Sequence, residues 1–249
     1  MSFLFLHGLL GGPASWRTVV LAAGIADRAE CQVLPGHGPE PRPCGDSFDD
    51  AVDAIAGRLG GGPPRILVGY SMGARVGLRL LLRHPHRFAR AILIGLHPGS
   101  RSDAEREARV VWEKRERAFL LDEGLETFVS RWERLPILRP ARPLPAPVEA
   151  RRRQVRLGHT AAGIADAIGV LGLGSMPSSW DAIADSTIPV HLMAGAADEK
   201  FCALGREARS RNAAWTFEAV PGAAHDVALE APAALIRALE RTSEGGREQ

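Results

Sequence analysis

The chain has 249 residues, 45% of them hydrophobic, enough to build one large α/β core. Its 31 basic and 29 acidic residues leave a formal charge of +2. That balance argues against a nucleic-acid surface or a polybasic membrane anchor and leaves a small molecule as the expected partner. Cys31, Cys44 and Cys202 are odd in number and scattered, without CxxC spacing or clustered histidines. They support neither a disulfide framework nor a zinc site, and they make the cytoplasm the natural compartment.

The first residues, MSFLFLHGLLGG, are apolar but lack a basic leader, and glycines cut the run well short of the roughly 20 residues that span a bilayer. They read as a first strand, Phe3 to Leu6. Five more short apolar runs bounded by Gly, Pro or Asp read as buried parallel strands: Gln32 to Leu34, Arg65 to Gly69, Ala91 to Gly95, Val190 to Ala194 and Thr216 to Val220. Between them lie helical stretches at Phe48 to Leu59, Ala74 to Arg83, Lys200 to Arg211 and Pro232 to Arg241. This alternation predicts a mostly parallel, doubly wound sheet of about six strands with right-handed crossovers. The rhythm breaks after the fourth strand, where charged, Arg-rich helical segments surround a Pro-rich loop, RPARPLPAP. Residues 1–97 and 186–249 are therefore expected to form the core, and 98–185 a helical lid at the carboxyl end of the sheet, where open α/β sheets bind ligands. A helical packing layer without a gating role is the alternative. The tail after Thr242, SEGGREQ, is expected to fray.

The sharpest motif is RILVGYSMGAR, residues 65–75, an apolar strand running through Gly69-Tyr70-Ser71-Met72-Gly73 into a helix. G-x-S-x-G in that context is a nucleophile elbow: the turn strains the serine backbone, and a Cβ two residues to either side would collide with a neighbouring element. A serine hydroxyl is a poor nucleophile or base at neutral pH, so it needs an imidazole, and the imidazole needs an acid that fixes its tautomer. His225, after the strand TFEAV, and Asp198, after IPVHLMAG, stand at strand carboxyl ends in the expected chain order. Asp226, Asp181 and Asp185 compete with poorer placement. His7, His37 and His97 also fall on loops near the site, whereas His84 and His86 end a helix and are expected to be solvated. The glycines of LHGLLGG let backbone N–H groups approach a ligand, which nominates the N–H groups of Leu9 and Met72 as the oxyanion hole.

With elbow, HG loop, Asp and His in order, the whole chain resembles the α/β-hydrolase superfamily. LHGLLGG, LPGHG (34–38), GYSMGAR, HPGS followed by EREAR, FVSRWERLPIL (128–138) and ADEKF (197–201) together are similar to the 2-succinyl-6-hydroxy-2,4-cyclohexadiene-1-carboxylate synthases of menaquinone biosynthesis. The resemblance implies a lyase, with no metal or cofactor, whose triad removes a proton from a polycarboxylate substrate and eliminates pyruvate. It also implies carboxylate-binding roles for Arg75, Arg109 and Arg156, with Tyr70 and Trp132 lining the pocket. Arg106 is the alternative to Arg109, and Arg153 to Arg156, because either member of an i, i+3 pair can face inward. Two departures stand out: Ala74 replaces a glycine, and Met176 stands where the family carries Gln, removing a polar group near the lid. A carboxylesterase or C–C bond hydrolase working through an acyl-enzyme would share the same triad. A non-catalytic module on this fold would be expected to have lost a triad member.

Overall fold

The computed structural model describes residues 1–244, with side chains to Thr242; most of the tail singled out above, residues 245–249, lies outside the described residues. Six parallel strands form one sheet: β1 (Phe3–Leu6), β2 (Ala29–Gln32), β3 (Arg65–Tyr70), β4 (Phe88–Ile94), β5 (Val190–Gly195) and β6 (Thr216–Val220), in the order β2-β1-β3-β4-β5-β6. Alternation along β1 divides the core. Leu4 and Leu6 join one layer with α2 (Phe48–Arg58), α3 (Met72–Arg83) and α7 (Glu199–Ser210), while Phe3 and Phe5 join the other with α1 (Arg17–Ala22), α8 (Val227–Glu230) and α9 (Pro232–Glu244). All four side chains are fully buried, the continuous apolar run required of a strand covered on both faces.

The chain leaves β1 for β2 on one side and then returns to β3 on the other. The carboxyl ends of β1 and β3 therefore diverge at a topological switch point, the crevice where doubly wound sheets take ligands. Between β4 and β5 the chain departs into α4 (Asp103–Trp132), α5 (Ala146–Leu157) and α6 (Ala161–Val170). Their own apolar cluster of Leu120, Phe128, Val129, Ile164 and Ile168 takes in Leu10 from the loop after β1. α4 bends at Gly124, whose φ of 80° no other residue adopts readily. Ser102 and Thr160 cap α4 and α6 by accepting the N–H groups of Glu105 (3.2 Å) and Gly163 (3.1 Å). Among the described residues no helix is long and apolar enough to cross a membrane.

Several elements differ from the sequence reading, among them β2, α1, α8 and α3. β2 spans Ala29–Gln32 rather than Gln32 to Leu34, because its partner β1 ends at Leu6, opposite Gln32, and the chain then turns away. As an edge strand carrying Glu30 and Gln32 it lacks the apolar run that marks the central strands. α1 and α8, of six and four residues, are too short to show a helical period. α3 begins at Met72, directly after Ser71, so the elbow has no residue to spare.

Candidate active site

Ser71 sits between β3 and α3 with φ 52° and ψ −108°, a strained conformation for a residue with a side chain. A Cβ on Gly69 would lie 2.5 Å from the Gly73 carbonyl oxygen, and one on Gly73 would collide with the Leu6 carbonyl, so both glycines are steric requirements of the elbow. The Ser71 N–H donates to Ile94 O (2.9 Å) and ties the turn to the end of β4. His225 Nε2 stands 3.1 Å from Ser71 Oγ, and His225 Nδ1 bonds Asp198 Oδ2 at 2.7 Å. The other oxygen, Asp198 Oδ1, accepts the Phe201 N–H (3.3 Å) as the N-cap of α7, which fixes the carboxylate plane. The ring of His225 packs against Phe201 and Tyr70, and both His225 and Asp198 are buried. Gly195, at the end of β5, allows this approach, since a Cβ there would collide with the Ala224 carbonyl. The competing acids lie elsewhere in function: Asp226 caps α8 through the Leu229 N–H (3.2 Å), Asp181 is exposed beside Arg211, and Asp185 is exposed.

Beside Ser71 the loop after β1 folds into a tight turn around Leu10, at φ 59°. The N–H groups of Leu10, Gly11 and Gly12 are taken by His37 Nε2, Gly8 O and Ser15 Oγ. The Leu9 N–H has no such partner among the described residues, and Met72 as the first residue of α3 has no intrahelical acceptor for its own. Both residues border the cavity over Ser71.

That cavity has two lobes meeting at Ser71, Leu9, Trp132 and Leu138. One is lined by Arg75, His97, Arg109 and Lys200. Arg75 is 8% exposed and its Nη1 is buried without a hydrogen-bond partner among the described residues. Burial and the neighbouring Arg109 pull its pKa down to about 10, against the opposing carboxylate of Glu113. Arg109 donates from Nε to Glu113 Oε1 (2.9 Å) and lies over the Trp112 ring. Glu113 also accepts the N–H groups of Leu173 (2.8 Å) and Gly174 (3.2 Å), so this single carboxylate is already heavily used. Burial and the cations Lys200, Arg75, Arg109 and Arg101 push His97 down to about 3, a measure of how positive the lobe is. The second lobe is lined by Tyr70, Arg151, Arg152, Arg156 and Asp226. Arg156 is buried and bonds Glu133 (3.0 Å), and the Arg152 Nε is buried without a partner among the described residues.

A model of the alpha/beta hydrolase family matches residues 3–238. The chain belongs to the alpha/beta hydrolase family. A Bacillus subtilis (strain 168) protein with the provisional name 2-succinyl-6-hydroxy-2,4-cyclohexadiene-1-carboxylate synthase is 34% identical over 166 residues, covering 67% of this chain and 61% of that protein. The 2-succinyl-6-hydroxy-2,4-cyclohexadiene-1-carboxylate synthase of Serratia proteamaculans (strain 568) is 29% identical over 248 residues, covering 95% of this chain and 90% of its own length. The structure of MenH from S. aureus superposes with a TM-score of 0.90 at 23% identity, covering all of this chain and 95% of that one, a likeness of fold.

On this alpha/beta hydrolase frame the structure distinguishes the paired arginine alternatives. Arg109 and Arg156 border the cavity, whereas exposed Arg106 pairs with Asp103 (2.8 Å) and Arg153 with Glu133 (2.8 Å) outside it. Tyr70 and Trp132 line the cavity, Trp132 in both lobes. Met176 is buried in the main apolar core and borders neither lobe. His84 is half-buried against Asp53 (2.7 Å) rather than solvated; His86 is exposed. The reading from sequence missed Lys200, although it lies two residues from Asp198, and Arg152, although it precedes Arg156 by one helical turn.

It also missed Glu230, which has no motif around it. Its carboxylate accepts the N–H groups of Ala224 (3.0 Å) and Asp226 (3.2 Å), the two residues flanking His225, and that of Ala141 (2.7 Å) from the Pro-rich loop. Glu230→Ala is expected to free the His225 loop and lower kcat about 10-fold or more, with Glu230→Gln, which retains one acceptor oxygen, losing less. Unchanged kcat in Glu230→Ala would contradict this positioning role.

Buried histidines give the protein a pH-dependent stability. His7, fully buried, is held down at about 4 by desolvation, His37 well below its ordinary value of 6.5, and His159 is lowered as well. The unfolded chain binds these protons first, so the stability they confer is complete above pH 6.5 and is lost progressively as pH falls from there through the folded values. His7 alone carries roughly 3 kcal/mol of this change. The thermal midpoint is expected to fall from pH 7 to pH 5, and a midpoint at pH 5 no lower than at pH 7 would contradict the neutral burial of these rings.

Proposed function

We propose that this protein is a carbon–oxygen lyase, a 2-succinyl-6-hydroxy-2,4-cyclohexadiene-1-carboxylate synthase acting in the cytoplasm on 2-succinyl-5-enolpyruvyl-6-hydroxy-3-cyclohexene-1-carboxylate. The observation that carries the reading is the buried guanidinium of Arg75, with an unpartnered nitrogen, beside a Ser-His-Asp constellation. A cation removed from water at that cost needs an anion, and an arginine takes a carboxylate better than any other side chain. The names of its synthase relatives point the same way.

In this reading Ser71, backed by His225, takes the ring proton next to the succinyl carbonyl. The electron pair forms the C2=C3 bond, the C3=C4 pair moves to C4=C5, and the C5–O bond breaks. The departing enolpyruvate takes up a proton at carbon and becomes pyruvate, so atoms balance without water. Asp198 holds the imidazole in the Nδ1–H tautomer and stabilises it when charged. The N–H groups of Leu9 and Met72 receive the enolate oxygen. Arg75 and Arg109 in one lobe, and Arg156 in the other, hold carboxylates at opposite ends of the substrate, while Tyr70 and Trp132 form the walls. The helical insertion 98–185 acts as the lid that excludes water.

The test couples the protein to the enzyme that makes the enolpyruvyl substrate and follows pyruvate by lactate dehydrogenase. Release that depends on Ser71 is expected; release no faster than with Ser71→Ala would overturn the reading.

A further inference from the structure

Three histidines outside the triad form a ladder between the oxyanion loop and the helical insertion. His7 follows β1, His37 lies in the turn after β2, and His159 joins α5 to α6. His7 and His37 are 0% and 1% exposed. Their rings meet edge to face at 4.8 Å, and those of His37 and His159 at 5.2 Å. Each ring accepts one backbone N–H from a neighbouring segment: Leu34 to His7 Nε2 (3.1 Å), Leu10 to His37 Nε2 (3.2 Å) and Gly38 to His159 Nδ1 (2.9 Å). The remaining nitrogen of His7 lies 2.8 Å from Gly8 O and that of His37 3.0 Å from Pro35 O, so each of these rings is satisfied only as one neutral tautomer.

Two further features show why this matters for the site. Leu10 is held at φ 59°, which a leucine adopts only when its surroundings enforce it, and its N–H is the group that His37 grips. The neighbouring Leu9 carries the N–H offered to the oxyanion. At the other end the turn after β2 touches α6 backbone to backbone: a Cβ on Gly36 would lie 2.5 Å from Gly163 O. His159 stands three residues beyond Arg156, and its Nδ1 takes the Gly38 N–H from the same turn (2.9 Å).

We propose that His37 and His159 are positioning residues, His37 holding the oxyanion loop in its donor-presenting shape through the Leu10 N–H and His159 locking the Arg156 segment to the turn after β2 that carries His37. The geometry of the oxyanion donors and the seat of the lid are thereby set together. This rests on the proposed role of the Leu9 N–H, but not on the identity of the substrate.

The test reads the loop directly, without turnover. Amide hydrogen exchange across residues 8–12 is compared in the wild type, His37→Leu, His37→Gln and His159→Leu. Exchange is expected to rise about tenfold or more in His37→Leu and to return towards wild type in His37→Gln, whose amide oxygen still accepts an N–H. It is expected to rise also in His159→Leu, whose ring packs against that of His37 and lies beside the Leu10 backbone. Unchanged exchange in both leucine variants would overturn the proposal, and a rise in His37→Leu alone would overturn the coupling to the insertion. Whatever substrate the protein turns over, His37→Leu should lower kcat at least 10-fold with KM within about threefold, as for loss of one oxyanion donor. A lower thermal midpoint with intact kcat would reduce His37 to a packing residue. Failure of pyruvate release with the exchange pattern intact would count against the substrate and leave the ladder standing.

Discussion

Ser71→Ala is expected to lower turnover by about 10⁴-fold or more, and His225→Ala by a similar factor, with the double variant scarcely worse than either. The near-equality follows from the geometry. His225 Nε2 at 3.1 Å from Ser71 Oγ and Nδ1 at 2.7 Å from Asp198 Oδ2 form one proton path, so removing either end disables the unit. What remains is the binding and the backbone donors, which are worth orders of magnitude by themselves. Steady-state pyruvate release by the purified variants checks this, with circular dichroism to verify folding. A single variant within tenfold of wild type would remove the triad from the chemistry.

Arg75→Ala is expected to lower kcat/KM for the polyanionic substrate about 100-fold while changing hydrolysis of a neutral p-nitrophenyl ester by less than about threefold. A charge-assisted, bidentate carboxylate contact in a covered site is worth roughly 3 kcal/mol, and a neutral ester makes no use of it. The variant also relieves the protein of a buried cation whose Nη1 has no partner among the described residues, so its thermal midpoint is expected not to fall. The function–stability opposition separates a ligand-binding arginine from a structural one. Equal losses on both substrates, or a sharp fall in stability, would contradict the carboxylate clamp.

The elbow was legible because three physical requirements coincide in one stretch: an apolar strand, glycines where any Cβ would strike Leu6 or Gly73, and a helix beginning at the next residue. Asp198 and His225 were legible because β5 is a clear apolar run, β6 is a short Phe- and Val-bearing stretch closed by Pro221-Gly222, and each residue follows one of them. β2 was displaced by a few residues because an edge strand is held by backbone pairing with β1 rather than by buried side chains. In the insertion, helical charge patterns left Arg109 and Arg106 equivalent. Their difference comes from Glu113, one turn on, which is buried against the N–H groups of Leu173 and Gly174 and draws Arg109 inward. Arg152 was hidden for the converse reason, being one arginine in a run of three with no sequence mark of the face it presents. The role of Glu230 and the contacts among His7, His37 and His159 were illegible because their partners are backbone N–H groups, which leave no mark in the sequence, and Ala141 and the segments bonded by the rings lie far along the chain.

The elimination itself is tested most directly by weighing the ring product. Pyruvate release alone is ambiguous, since hydrolysis of the enol ether would free it too. When the coupled reaction is run and the ring product is examined by mass spectrometry, elimination yields a conjugated diene equal in mass to the substrate less pyruvic acid. A ring heavier by one water, retaining a hydroxyl at the former enolpyruvyl position, would mean that this site hydrolyses rather than eliminates, and would contradict the lyase account.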